Sequence, residues 1–202
     1  MLQVVSCIIF LISAWIYVQG IRSGKTIAPI ASWVIWATLD LITLGTLINR
    51  GTVNGLAIGA LTGSLSTVIF SLKYGTKGWT IVDSICMTCA VVSISLWQVF
   101  DSPPLALLMA LLAMVIGVIP TLTWGWKAPY DENETSWRVS TVSGLISLIA
   151  IPRWWTYFEA SWTDTFILDE VVMNASQPIV IFLIEVSVIT VLFIRKRMLP
   201  KP

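Results

Sequence analysis

Apolar residues run along this chain in seven stretches, separated by short intervals that carry most of its charged, glycine and proline residues. The stretches cover about 3–20, 28–48, 52–72, 79–100, 103–123, 137–151 and 174–194. A helix that crosses a bilayer needs roughly 20 mostly apolar residues, so the pattern predicts an all-α integral membrane protein of seven transmembrane helices. The sixth stretch is the shortest. Nothing of domain size is left between the stretches, so residues 1–202 form a single membrane domain, and function belongs to the bundle or its loops.

Composition agrees: the chain is 56% hydrophobic and 11% charged, against about 25% charged in a soluble domain. A cleaved signal peptide would place Lys or Arg ahead of the first apolar run and small residues after it. Met1-Leu2-Gln3 has no basic side chain and Gly20-Ile21-Arg22 makes a poor cleavage site, so the first run reads as a retained helix. Charge then sets the orientation, because Lys and Arg collect on the cytosolic side. With the N-terminus outside and the C-terminus cytosolic, the inner side holds Arg22, Lys25, Lys73, Lys77, Lys127, Arg138, Arg195, Lys196, Arg197 and Lys201. The outer side holds Arg50 and Arg153. That is ten against two of the twelve basic residues, as expected in a plasma or bacterial inner membrane. Arg195-Lys196-Arg197 reads as a stop-transfer anchor, and no nucleic-acid motif is present.

A weak internal repeat follows from Ser32-Trp33, which opens the second run, and Ser136-Trp137, which opens the sixth, 104 positions on. At that offset Leu41, Ile42 and Leu44 fall on Leu145, Ile146 and Leu148. Each Ser-Trp follows a helix, a basic loop and a proline, Pro29 or Pro129. The chain divides into a first three-helix repeat over 1–73, a linking helix over 79–100 and a second repeat over 103–195. A single linking span gives both triplets the same orientation, a parallel repeat. This three-plus-one-plus-three order, with Pro120-Thr121, Lys127 and Glu134-Thr135-Ser136-Trp137, resembles the SWEET and PQ-loop transporter superfamily. Trp33-Val34-Ile35-Trp36 is similar to the Trp-x-x-Trp pattern of PnuC-type nicotinamide riboside transporters, which share that general fold. Thr121 stands where the pattern has Gln, and Ile16 where the repeat offset would put a proline.

Two acids stand near the middle of spans. A carboxylate there costs about 2.5–3.5 kcal/mol even on insertion scales, which makes Asp40 in the second run and Glu185 in the seventh candidates for substrate binding and proton coupling. The chain has no His, and no Lys or Arg falls near the midplane. The competing structural reading is that each acid is neutral and braces the bundle by hydrogen bonding. Trp33, Trp36 and Asp40 share a helical face, and their repeat equivalents are Trp137, Ser140 and Gly144. A bulky acidic face opposite a small polar one leaves room for a ligand, with Trp rings able to stack or hold a cation. Interfacial anchoring is the other reading of Trp33 and Trp137. Asn174, Gln177, Ile181 and Glu185 form a further stripe, and Gln177 joins Trp33, Trp36, Asp40, Trp137, Ser140 and Glu185 as a substrate-binding candidate.

Gly51, Gly55, Gly59 and Gly63, continued by Thr67 and Ser71, predict close helix packing, within the chain or in a homo-oligomer. Pro120 is a candidate hinge. Cys86-Met87-Thr88-Cys89 reads as apolar packing rather than a redox pair. Asp83 is expected to pair with Lys73 or Lys77. Residues 152–173 are expected to form an outer loop in which Trp154, Trp155, Tyr157, Phe158 and Trp162 meet the headgroups. Asp131, Glu132 and Glu134 are expected in a solvated loop.

The reading is a small-solute transporter or facilitator for neutral polar or cationic substrates, without cofactor or metal. A non-transporting membrane receptor, scaffold or assembly protein is the alternative. With no HExxH, GxSxG or metal-ligand cluster, an enzyme is not expected.

Overall fold

The computed structural model describes residues 1–151 and 165–199. Among these the secondary structure is helical, apart from one isolated bridge between Pro29 and Thr76. The helices are α1 (Leu2–Arg22), α2 (Ile30–Asn49), α3 (Gly55–Tyr74), α4 (Ile81–Phe100), α5 (Pro103–Lys127), α6 (Glu134–Ile149) and α7 (Thr165–Met198). Five regions are long and apolar enough to cross a membrane: α1, α2, α3, α5 and the Met173–Met198 part of α7. Apolar side chains such as Leu41, Ile69, Val91, Leu112 and Leu183 are exposed on the outside of the bundle. An outward apolar belt of this kind fits a helical membrane protein.

Local chemistry explains the helix ends. Asn54 caps α3 through the Ala57 N–H at 2.8 Å, and Asn133 caps α6 through the Ser136 N–H at 3.1 Å. Asp83 spends its carboxylate on a capping box at the start of α4. It accepts from the Thr80 N–H and hydroxyl, both at 2.7 Å. The expected pairing with Lys73 or Lys77 is replaced by this cap, because the first-turn N–H groups are the nearer donors. Gly51 belongs to the α2–α3 turn at φ 68, so it stands outside the packing stripe it was grouped with.

Helix α7 begins at Thr165, which shortens the expected 152–173 loop. Residues 152–164, carrying Arg153, Trp154, Trp155, Tyr157, Phe158 and Trp162, lie outside the described residues, as does Lys201.

In the bundle α3 packs against both α1 and α2, and α7 against both α5 and α6. Between these triplets α1 meets α6 and α2 meets α5, while α4 lies on α5 with a smaller contact to α2. The α1–α3 contact uses the glycines. A Cβ on Gly55 would run into the Gln3 carbonyl, one on Gly59 would sit 2.9 Å from Phe10, and one on Gly63 3.0 Å from Ala14. The close approach is thus made within the chain, and α1 covers the face that a homo-oligomer would have used. The α1–α6 contact is polar. Ser13 and Ser136 exchange hydroxyl-to-carbonyl bonds at 2.8 and 2.9 Å, and Ser6 and Ser143 do the same at 3.0 and 2.7 Å. The α2–α5 contact is apolar, with Ile35, Leu39 and Ile42 in one buried cluster with Leu107, Leu111 and Met114.

Three loops are tied together at one end. The Ile27 N–H bonds the Asp131 carbonyl at 3.1 Å, and Ile30 and Thr76 donate to Thr76 and Ala28 at 3.0 and 3.1 Å. Lys196 of α7 joins them through Glu134 at 2.7 Å. The helix ends and loops gathered here carry nine of the basic residues: Arg22, Lys25, Lys73, Lys77, Lys127, Arg138, Arg195, Lys196 and Arg197. We call it the basic end. Arg50 lies at the other.

Candidate functional site

The two triplets meet around a cavity of about 80 Å³. Helix α2 contributes Trp33, Trp36 and Asp40, whose spacing stacks them on one face. Helix α6 contributes Trp137 and Ser140, and α7 contributes Glu185 and Ile181. Six of the seven substrate-binding candidates read from the sequence therefore line one cavity. The seventh does not. Gln177 is fully buried one helical step toward the opposite end, where its carbonyl oxygen accepts from Asn54 at 2.9 Å. It fastens α7 to the start of α3.

Both acids are enclosed: Asp40 is 6% exposed and Glu185 2%. Ser64 of α3 lines the wall with Asp40 of α2, and Ser140 of α6 lines it with Glu185 of α7; the two hydroxyls donate to their own helices, at the Leu61 and Trp137 carbonyls. The second and third helices of each triplet thus bring one acid and one serine to the wall, with acid and alcohol exchanged between helices. Gly144 supplies the space for Glu185, because a Cβ there would lie 3.2 Å from Glu185 Oε2. That oxygen has no hydrogen-bond partner. Among the described residues, Asp40 and Glu185 are the charged side chains of the cavity wall, and no Lys or Arg lines it.

Helix α1 completes the wall with Phe10, Ser13 and Tyr17. Their i, i+3, i+7 spacing was available in the sequence, although no acid or Trp-x-x-Trp drew attention to it.

At the basic end a second cavity, about 200 Å³, lies behind the first. Tyr17, Trp33, Trp36 and Trp137 line both and form the partition between them. The Tyr17 and Trp33 rings are 4.9 Å apart, and Trp137 meets Tyr17 edge-on at 6.4 Å. The Tyr17 hydroxyl lies within electrostatic reach of the Glu132 carboxylate. Glu132 accepts from Trp137 Nε1 at 3.1 Å and from the Asn133 N–H at 3.0 Å. Glu132 is 7% exposed, not the solvated loop residue its sequence context suggested. Folding the α5–α6 loop under the ends of α1 and α6 buries it, and burial pushes its carboxyl above the usual range. Pro120 of α5 lines this cavity too. Its ring leaves the Ile116 carbonyl without the usual helical donor.

Comparison with known protein families, characterised proteins and solved structures finds no match to this chain.

The cysteines carry no candidate site. All three are free, and Cys86 is buried with its thiol directed to the Ala113 carbonyl at 3.4 Å, where it packs α4 on α5. The described residues contain no group of three or more potential metal ligands.

Proposed function

We propose that this chain is a small-solute transporter or facilitator, with seven spans arranged as two parallel triplets joined by α4. The observation that carries the proposal is the placement of Asp40 and Glu185, from different triplets, in the wall of one cavity between them. Parallel-repeat carriers put their substrate at such a junction and expose it alternately by rocking one repeat against the other. Support for the repeat comes from the packing order, in which the third helix of each triplet contacts its first and second. With the basic end in the cytosol, the positive-inside rule is obeyed. The substrate is neutral and polar or cationic, since acids are the only charges in the wall. Asp40 and Glu185 are also the proton-coupling groups.

A ligand-dependent thermal shift on detergent-purified protein, with sugars, nucleosides and cationic amines screened across pH, tests the reading. A ligand of the folded state raises stability by about 2.7 kcal/mol at a hundredfold excess over its Kd. The expected hit is lost in Asp40→Asn and in Trp36→Ala. Coupling fails if Asp40→Asn and Glu185→Gln both transport normally and keep the wild-type pH dependence.

One observation favours a second reading, a non-transporting receptor or scaffold. The midplane cavity is well below the roughly 300–1,000 Å³ of ordinary ligand sites. Silence across the panel, with normally folded variants, would favour it.

A further inference from the structure

The cavity at the basic end has a chemistry of its own. Tyr17, Trp33, Trp36, Trp124 and Trp137 turn toward its roughly 200 Å³ from α1, α2, α5 and α6. Aromatic faces carry a negative quadrupole, and several of them around one space make a cage for a cation. Its charged lining is divided by depth. Glu132 and Asp83 are buried at 7% and 5% exposure, while Lys77 is exposed at the rim, where water and salt screen it. A ligand inside therefore meets two fixed acids at close range and a screened base at a distance.

We propose that this vestibule is a second binding site, distinct from the midplane cavity, for a small organic cation of the alkylammonium class. The cation sits within the tryptophan cage with its charge toward Glu132. There it competes with Trp137, which donates to the same carboxylate. Filling the vestibule thus loosens the hydrogen bond that holds Trp137 in the partition in front of Asp40 and Glu185. The site stands whichever solute the midplane cavity takes.

Tetramethylammonium chloride is the probe, titrated into the detergent-purified full chain at constant ionic strength and followed by tryptophan fluorescence. The uncharged control is tert-butanol, which has nearly the same shape. Saturable quenching by tetramethylammonium and none by tert-butanol is expected. Glu132→Gln keeps the side chain's size and an acceptor for Trp137, and weakens binding by about tenfold. Trp124→Ala, at a half-exposed position that lines the vestibule but not the midplane cavity, does the same. Asp40→Asn combined with Glu185→Gln separates the cavities: binding retained there assigns the probe to the vestibule. Equal quenching by tert-butanol overturns the proposal. So does binding lost in the double variant yet kept in Glu132→Gln. If Glu132→Gln does not fold, Trp124→Ala decides, and an unchanged curve in that variant also overturns it. None of these outcomes depends on whether the chain transports.

Discussion

Glu132 receives hydrogen bonds from Trp137 and Asn133, an arrangement suited to a carboxylate, while its burial favours the protonated form. The groups facing it are Tyr17 from α1, Lys196 from α7, and Asp83 with Lys77 across the vestibule; Asp131 and Glu134 flank it in the chain. Burial is the largest effect and raises the folded-state pKa. The folded protein then binds this proton more tightly than the unfolded chain, so this contribution to stability is fully present below the unfolded value of about 4.3. It is lost as pH rises through the raised value. Glu132→Gln is therefore expected to flatten the fall in Tm between pH 4 and 8 measured in detergent, and parallel curves for variant and wild type would assign that fall to other groups. The cavity residues divide by how much their neighbours in sequence disclose. Trp33, Trp36 and Asp40 were legible because one helix repeat aligns them and an acid among apolar residues stands out. Glu132 was not, because Asp131 and Glu134 beside it describe a solvated loop and only the ends of α1 and α6 make it buried. Gln177 was grouped correctly by helical face, but Asn54, far away in the chain, takes its side chain.

Helix pairs differ in what holds them. The α1–α3 contact depends on missing side chains, and its glycine spacing advertised it. The α1–α6 contact depends on two serine pairs, Ser6 with Ser143 and Ser13 with Ser136, each spaced by one heptad along its own helix. Hydrogen bonds of this kind inside membrane proteins average about 0.6 kcal/mol of pairwise coupling, with a maximum near 1.7. A double-mutant cycle on Ser13→Ala and Ser136→Ala is expected to return a coupling in that range, read from unfolding in mixed micelles. Zero coupling would mean that the close approach, and not the hydrogen bonds, holds the seam. Neither serine row announced its partner, because a hydroxyl in an apolar helix bonds equally well to its own backbone. Thr38, Thr62 and Thr67 do so here. Register between distant helices is information that single-helix periodicity does not contain.

At the scale of the whole molecule the described helices follow the predicted order of seven, with ends shifted by a few residues and α7 extended by nine residues before position 174. Hydrophobic length is the most legible property of such a chain, since the bilayer sets it. Which helix lies beside which is less legible, because the few positions matched at the 104-residue offset carry no information on contacts between helices. Orientation is testable directly. Single cysteines at Lys25 and Thr52, in a version of the protein without Cys7, Cys86 and Cys89, should label with an impermeant maleimide from opposite faces of sealed vesicles. Labelling of both from one face would sink the seven-span topology. Helix α6 makes a different demand on the cell. It has 16 residues and turns Ser136, Ser140, Ser143 and Ser147 inward, while Val142, Leu145 and Ile149 face outward. Alone, its hydroxyls could bond only their own backbone, as Ser140 does at the Trp137 carbonyl; beside α1, Ser136 and Ser143 gain partners in Ser13 and Ser6. With the membrane reading proposed above, this predicts that α6 settles in the bilayer more readily once α1, made well over a hundred residues earlier, lies beside it. In that reading the first helix is the membrane partner that admits the sixth.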